Sequence, residues 1–213
     1  DYSDTTAAIT ANLTDGTATS DDIGTDTLTN VENLSGGTGA DSITGDANAN
    51  VLKGNGGSDT IDGGAGDDVY NFTESAEAGE TIEDASGYDR IVAFAPLGLS
   101  NLNAGAALTM IEEITVDPGS SFQMLGSQVD GLTINLNKQD TASAVVDFFA
   151  QGTDVDLSNF TFSANGQTAF TSGSGSTVRL IGDANGETLI GTSYNDEISG
   201  EGGDDSIYGN AGP

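Results

Sequence analysis

The chain has 213 residues, of which 34 are Asp or Glu and only 4 are Lys or Arg, so its formal net charge is −30. Nucleic acids and anionic membranes are poor partners for such a chain, because both are bound mainly through Lys and Arg. Without His or Cys, the chain cannot build Ser-His-Asp or Cys-His catalytic sites, disulfides, or the usual zinc, haem and iron–sulfur sites. The remaining chemistry is that of carboxylate oxygens, which suit hard cations.

The first 35 residues carry weakly alternating apolar side chains, at Ile9, Leu13, Leu28, Val31 and Leu34. Turn-forming Gly, Asp and Thr residues separate them. We expect residues 1–35 to form irregular β-rungs that lead into the next part of the chain.

Residues 36–72 contain a nine-residue repeat, and such internal repeats indicate a solenoid. Four copies follow one another, namely GGTGADSIT from Gly36, GDANANVLK from Gly45, GNGGSDTID from Gly54 and GGAGDDVYN from Gly63. The sixth position of each copy is polar, in the order Asp41, Asn50, Asp59 and Asp68. The eighth position is large and apolar, in the order Ile43, Leu52, Ile61 and Tyr70.

The same pattern returns near the end of the sequence, and we expect a second, truncated array over residues 173–213. The clear copies are GDANGETLI from Gly182, GTSYNDEIS from Gly191 and GEGGDDSIY from Gly200. Their sixth positions are Glu187, Asp196 and Asp205. Residues 173–181 keep the register only weakly, since they have no acid at the sixth position.

These nonapeptides resemble the RTX repeat, Gly-Gly-x-Gly-x-Asp-x-U-x with U large and apolar. The resemblance implies an all-β fold, a parallel β-roll that binds calcium in the turns between short strands. It also implies an extracellular location, because proteins of this family are mostly secreted by bacteria, typically through type I machinery.

The residues themselves support that interpretation. Glycine permits turns with positive φ and close backbone packing, and such turns direct backbone carbonyls inward as potential cation ligands. With two nonapeptides per turn of the roll, turns two repeats apart stack on one edge. Asp41 then lies above Asp59, Asn50 above Asp68, and Glu187 above Asp205, while Asp196 needs a partner in the copy that is cut off after Gly212. Each stacked pair, together with backbone carbonyls, offers an oxygen cage suited to calcium.

Fifteen residues are candidate calcium ligands. They comprise glycines that offer carbonyls, the sixth-position side chains, and supporting polar side chains at the fifth position. They are Gly37, Gly39, Asp41, Asn50, Gly57, Asp59, Gly66, Asp67, Asp68, Glu187, Asn195, Asp196, Gly203, Asp204 and Asp205. Asn50 lowers the charge of its site, and Glu187 is longer than the usual Asp.

Residues 73–172 contain no evident nonapeptide but several strand signals. Alternating or apolar runs occur around Ile111–Val116, Leu132–Leu136, Ala144–Phe149, Val155–Leu157 and Phe160–Phe162. Their spacing favours β-rungs over helices, with helix only in a short piece around residues 99–108. We expect an irregular, solenoid-like middle region, less dependent on calcium than the arrays, with an inserted β-sandwich as the alternative.

The sequence therefore predicts a non-catalytic, extracellular calcium-binding β-solenoid module of a larger secreted or surface protein, such as an adhesin, surface-layer or filament component. The alternative is an accessory or secretion domain of a secreted protease, lipase or epimerase. A polysaccharide lyase would need basic residues on the substrate, and the four present (Lys53, Arg90, Lys138, Arg179) are scattered.

Calcium ions are the expected partners, with no nucleic acid and no membrane insertion. Joining residues 209–213 to residues 1–4 gives GNAGPDYSD, with Asp1 at the sixth position. Head-to-tail self-assembly is therefore a further prediction, as is contact with a surface polysaccharide or cell surface.

Overall fold

A computed structural model describes residues 1–72, 80–93, 97–98, 107–116, 121–138, 145–150, 154–162, 177–194 and 196–210. These residues form short strands and two 3₁₀ turns, Ala107–Met110 and Gly126–Gln128, and include no α-helix. Most strand pairs are parallel, so the prediction of an all-β parallel solenoid is confirmed. No helix within these ranges is long and apolar enough to cross a membrane.

The chain divides into two compact units, unit 1 (residues 1–92 and 101–112) and unit 2 (residues 93–100 and 113–213). Ten strands begin in unit 1 before residue 93. They are β1 Thr10–Asn12, β2 Thr17–Ser20, β3 Gly24–Thr27, β4 Asn33–Ser35, β5 Ser42–Thr44, β6 Val51–Lys53, β7 Thr60–Asp62, β8 Val69–Phe72, β9 Thr81–Glu83 and β10 Asp89–Ala93.

Two parallel stacks of strands form the solenoid of unit 1. One stack runs β1, β5, β7, β9, and the other runs β4, β6, β8, β10. Ser42 pairs with Thr60 in the first stack and Val51 with Val69 in the second. Each turn of the solenoid therefore contains two nonapeptides, and each nonapeptide contributes one strand to one of the two stacks.

The eighth-position side chains form the core between the two stacks. Ile43, Leu52, Ile61 and Tyr70 are each at most 2% exposed, and Ile82 of β9 and Ile91 of β10 continue the same core and are fully buried. Burying an aliphatic side chain of this size stabilises a fold by about 1.5–3 kcal/mol. The repeat supplies one such side chain per nonapeptide, because a three-residue strand points only its middle side chain inward.

The lead-in differs from the expectation of rungs alone. β1 and β4 are parallel rungs, but β2 pairs antiparallel with β1, and β3 antiparallel with β2. The chain reverses its direction between β1 and β2 at Asp15-Gly16, where Gly16 has φ +66°. Asp-Gly is a strong hairpin signal, because the glycine accepts the positive φ that the turn requires.

Unit 2 contains most of the remaining strands, and β12 lies on the boundary between the units. They are β11 Leu97–Gly98, β12 Ile111–Val116, β13 Ser121–Leu125, β14 Asn135–Lys138, β15 Val145–Phe149, β16 Val155–Asp156, β17 Thr161–Phe162, β18 Thr177–Ile181, β19 Thr188–Ile190, β20 Asp196–Ser199 and β21 Ser206–Tyr208.

The strands of unit 2 stack in parallel in three series. The orders are β12-β14-β17, β11-β13-β15-β18-β20 and β16-β19-β21. Parallel stacking of this kind matches the predicted solenoid-like middle, whereas a β-sandwich is built from antiparallel sheets. The expected short helix is represented by the 3₁₀ turn at Ala107–Met110, and residues 99–106 lie outside the described residues.

Aromatic packing and one ion pair stabilise unit 2. The rings of Phe148 and Phe160 meet edge to face, with centroids 5.5 Å apart. Asp147, which is buried, accepts hydrogen bonds from Arg179 Nε at 2.7 Å and from Nη2 at 2.6 Å. The second array is less enclosed, since Ile207 at an eighth position is 49% exposed.

Candidate metal centre

The sixth-position side chains of the first array stack on one another in consecutive turns. The backbone N–H of Asp41 donates to Asp59 Oδ1 at 2.8 Å, and the N–H of Asn50 donates to Asp68 Oδ1 at 2.7 Å. Asp41, Asn50, Asp59 and Asp68 are all buried, with at most 3% of each exposed. The structure thus brings together both pairs that the sequence predicts.

One oxygen of the Asp41 carboxylate, Oδ2, forms a hydrogen bond within its own nonapeptide. Asp41 Oδ2 accepts a hydrogen bond from Gly37 N–H at 2.7 Å. A Cβ on Gly36 would meet that same oxygen. Glycine is needed at residue 36 to leave space for the carboxylate, and at Gly37 because a Cβ there would collide with Thr5.

The fourth-position glycines allow consecutive turns to touch. Gly57, Gly66 and Gly203 have φ of +117°, +124° and +106°, a region that L-residues rarely adopt. A Cβ on Gly57 would strike the carbonyl oxygen of Gly39 in the preceding turn. The carbonyl of Gly39 therefore lies against the neighbouring turn, beside the stacked side chains.

The fifth-position side chains are on the surface. Asp67 and Asp204 are exposed, and Asp67 Oδ1 accepts a hydrogen bond from Tyr88 N–H at 3.0 Å. Neither is shown turned into a stack, so they remain predicted supporting ligands only. Asn195 lies outside the described residues.

The sixth positions of the second array are stacked less completely. Glu187 N–H donates to Asp205 Oδ1 at 3.1 Å, so this predicted pair is also brought together. Asp196 instead accepts a hydrogen bond from the Thr192 hydroxyl at 2.7 Å through Oδ1. Asp196 Oδ2 and Glu187 Oε1 are buried without a hydrogen-bond partner.

The stack of the first array continues past residue 72, where the sequence interpretation ended it. Asp68 N–H donates to Asp89 Oδ1 at 2.8 Å, and Asp89 N–H donates to Glu112 Oε2 at 2.8 Å. Asp84 lies in the same turn as Asp89. These two aspartates were not among the predicted ligands.

A weak sequence signal for this turn exists. Residues 84–92 read DASGYDRIV, with Gly87 at the fourth position, Asp89 at the sixth and Ile91 at the eighth. Asp84 occupies the first position, where glycine is expected. The turn is also displaced, because Asp89 follows Asp68 by 21 residues rather than the 18 that separate Asn50 from Asp68. A search in strict steps of nine residues misses it.

Burial raises the pKa values of several of these carboxyls. The pKa of Asp68 and that of Asp89 both rise from 3.8 to about 6, mainly through burial and further through neighbouring acids such as Asp84. Burial also raises the pKa of Asp196 to about 6. For Glu187, burial and the side chain of Asp183 raise the pKa. A buried carboxylate is costly unless a positive charge compensates it.

The donor set fits calcium. Carboxylates and backbone carbonyls are the oxygen ligands that this ion takes in proteins, and Asp68 Oδ2 is buried without a hydrogen-bond partner. Arg179 forms a salt bridge with the buried Asp147 in unit 2. A bound divalent cation would supply positive charge to these buried carboxylates.

Comparison with known proteins agrees with the repeat pattern. Residues 32–71 and 181–213 match the RTX calcium-binding nonapeptide repeat, with 4 copies. A search of curated proteins finds no match. The chain thus contains RTX repeats, as the resemblance indicates, and RTX nonapeptide repeats bind Ca²⁺.

Proposed function

We propose that this chain is a non-catalytic, extracellular calcium-binding module of a larger secreted or surface protein, such as an adhesin, surface-layer or filament component. One observation carries the proposal: buried acids of consecutive turns stack directly on one another, as Asp41 does on Asp59. The proposed ligands are the fifteen candidate residues of the two arrays. Among them, Asp41 with Asp59 forms the first site, Asn50 with Asp68 the second, and Glu187 with Asp205 a third.

The stacked turns hold several buried acidic side chains close to one another. In the calcium-poor cytosol, repulsion among the acids keeps the repeats loose, which suits export. Outside the cell, calcium supplies the positive charge that the turns lack, so that folding and metal binding are coupled. Extracellular calcium modules commonly have dissociation constants of about 10⁻⁴–10⁻³ M.

The described acids and bases favour a structural role over catalysis. The buried sixth-position acids accept hydrogen bonds from backbone N–H groups, and the Arg179 guanidinium is bound to Asp147. The net charge of −30 would repel an anionic polysaccharide. We therefore propose that the chain contributes rigidity and spacing on calcium binding.

Self-assembly and surface contact remain predictions. A second copy adding a strand beside β1 would compete with β2, which already pairs with that edge. Assembly through this edge is therefore disfavoured. Light scattering with excess calcium measures the mass, and binding to immobilised polysaccharide with and without calcium tests surface contact.

Replacing Asp59 with Asn tests the calcium assignment. The amide keeps an oxygen for the Asp41 N–H but removes one negative charge, so we expect calcium titration to show one fewer bound ion or about tenfold weaker binding at one site. Asp15→Asn changes the net charge equally in an exposed turn of unit 1 and should bind calcium as the original chain does. Equal binding by both variants and the original chain would contradict the proposal.

A further inference from the structure

Three aspartates meet where the last nonapeptide of the first array faces the displaced turn, and the two from the displaced turn lie outside the segment that matches the repeat family. They are Asp68 from the last nonapeptide of the array, and Asp84 and Asp89 from the displaced turn. One carboxylate oxygen from each lies within 4.8 Å of the other two. Calcium binds oxygens at about 2.3–2.6 Å, so ligands on opposite sides of one ion lie up to about 5 Å apart. A single calcium ion could therefore reach all three.

The cluster contains buried oxygens that lack a donor. Asp68 is 1% exposed and Asp89 is 0% exposed. Each uses Oδ1 to accept a backbone N–H from the preceding turn, while Oδ2 is buried without a hydrogen-bond partner. These free oxygens are independent evidence for a ligand, because a carboxylate oxygen is rarely buried unsatisfied.

Gly63 leaves open the space between the carboxylates. A Cβ on this residue would meet the Tyr70 hydroxyl and would lie 2.5 Å from Asp68 Oδ2 and 2.7 Å from Asp84 Oδ2. The two oxygens therefore face the same small space, which any side chain at residue 63 would fill.

Two hydrogen bonds orient the carboxylate of Asp84 toward this space. Its Oδ2 accepts a hydrogen bond from the Tyr70 hydroxyl, and its Oδ1 accepts one from Ser86 N–H at 3.1 Å. Tyr70 occupies an eighth position and is fully buried, yet it is long enough for its hydroxyl to reach the turn. An aliphatic side chain at this position could not position Asp84.

We infer that Asp68, Asp84 and Asp89 form a calcium site in which a side-chain carboxylate, that of Asp84, stands at the first repeat position instead of glycine. The inference rests on the proposed function, since both assign calcium to the stacked turns of unit 1. It adds a site that the regular nonapeptides do not contain. With three carboxylates it carries more negative charge than the Asn50 site, and higher ligand charge strengthens calcium binding.

Counting bound calcium in variants of the full chain tests the inference. Asp84→Asn should bind one ion fewer, or one ion about tenfold more weakly, than the original chain, while Asp15→Asn should match the original. An unchanged count and affinity in Asp84→Asn would overturn the inference. Asp59→Asn separates the two proposals: loss in Asp59→Asn alone leaves only the proposed function standing, and loss in Asp84→Asn alone leaves only this site.

Terbium luminescence provides a second readout that does not depend on removing a carboxylate. Terbium(III) replaces calcium at carboxylate sites and emits when a nearby tyrosine transfers its excitation energy, and the chain has no Trp. Tyr70→Phe should remove much of the tyrosine-sensitised emission, because Tyr70 contacts Asp84 directly. Tyr2→Phe, which alters a tyrosine beside Asp26 in the lead-in, should retain it. Equal emission from Tyr70→Phe and the original chain would overturn the inference.

Discussion

At the scale of single residues, the fourth-position glycines fix how closely the turns can stack. Gly66 has φ +124°, and a Cβ there would lie 2.6 Å from the backbone carbon of Asn48 in the preceding turn. Two separate requirements, a positive φ and the absence of a side chain, therefore meet at one residue. The repeat pattern predicts such glycines correctly because the geometry leaves no other residue type.

Gly66→Ala should accordingly destabilise the protein more than Gly24→Ala. Gly24 has φ +76° but nothing within 4 Å of its Cβ position, so it carries only the backbone strain. We expect Gly66→Ala to cost about 1–3 kcal/mol of unfolding free energy or more, since the preceding turn must also shift. Thermal or urea unfolding in calcium measures both variants, and an equal loss in the two would show that close stacking is unimportant.

At the scale of elements, the strictness of the repeat determines what sequence reasoning can find. The strands β5 to β8 and the pairs Asp41–Asp59 and Asn50–Asp68 follow from a nine-residue period. Asp84 and Asp89 do not, because the displaced turn breaks the period and Asp84 replaces the expected glycine. The role of Tyr70 is also hidden, since its sequence position predicts only a core side chain, whereas its hydroxyl reaches Asp84.

The antiparallel hairpin in the lead-in has a turn that the sequence predicts and a strand pairing that it does not. Asp15-Gly16 is a recognisable turn signal, yet the pairing of β2 with β1 depends on which edge is available in the folded chain. A local pattern indicates a reversal of direction, but it does not specify the strand that becomes the partner.

The stacked turns should make the calcium-free protein more stable in mild acid. Asp68 and Asp89 have pKa values of about 6 in the folded chain, against a usual 3.8. The folded state therefore takes up protons before the unfolded state does. This stabilisation is complete below about pH 4 and is lost as the pH rises through about 6. We expect a higher melting temperature at about pH 5 than at about pH 7.5 in metal-free buffer.

The variant Asp68→Asn separates this effect from the general relief of charge repulsion. It removes one of the three carboxyls whose pKa rises to about 6, the others being Asp89 and Asp196, so the gain in melting temperature between the two pH values should shrink. If the melting temperature of the variant rose as much as that of the original chain, acids other than Asp68 would be responsible for the stabilisation in mild acid.

At the scale of the whole molecule, the account predicts two classes of stability. The nonapeptide turns bury one apolar side chain each and stack acidic side chains on one another. The described strands of unit 2 outside the array have a larger apolar core, in which Phe148 and Phe160 are in contact. Calcium should therefore stabilise the arrays more strongly than strands such as β13 and β15.

Hydrogen exchange of the full chain, with calcium and after its removal by chelation, measures local opening segment by segment and so compares the two classes of strand. We expect amides in β5 to β8, β19 and β21 to be protected in calcium and to exchange much faster without it. Amides in β13 and β15 should change far less. Equal protection of β5 to β8 in both conditions would contradict the claim that calcium holds these turns together.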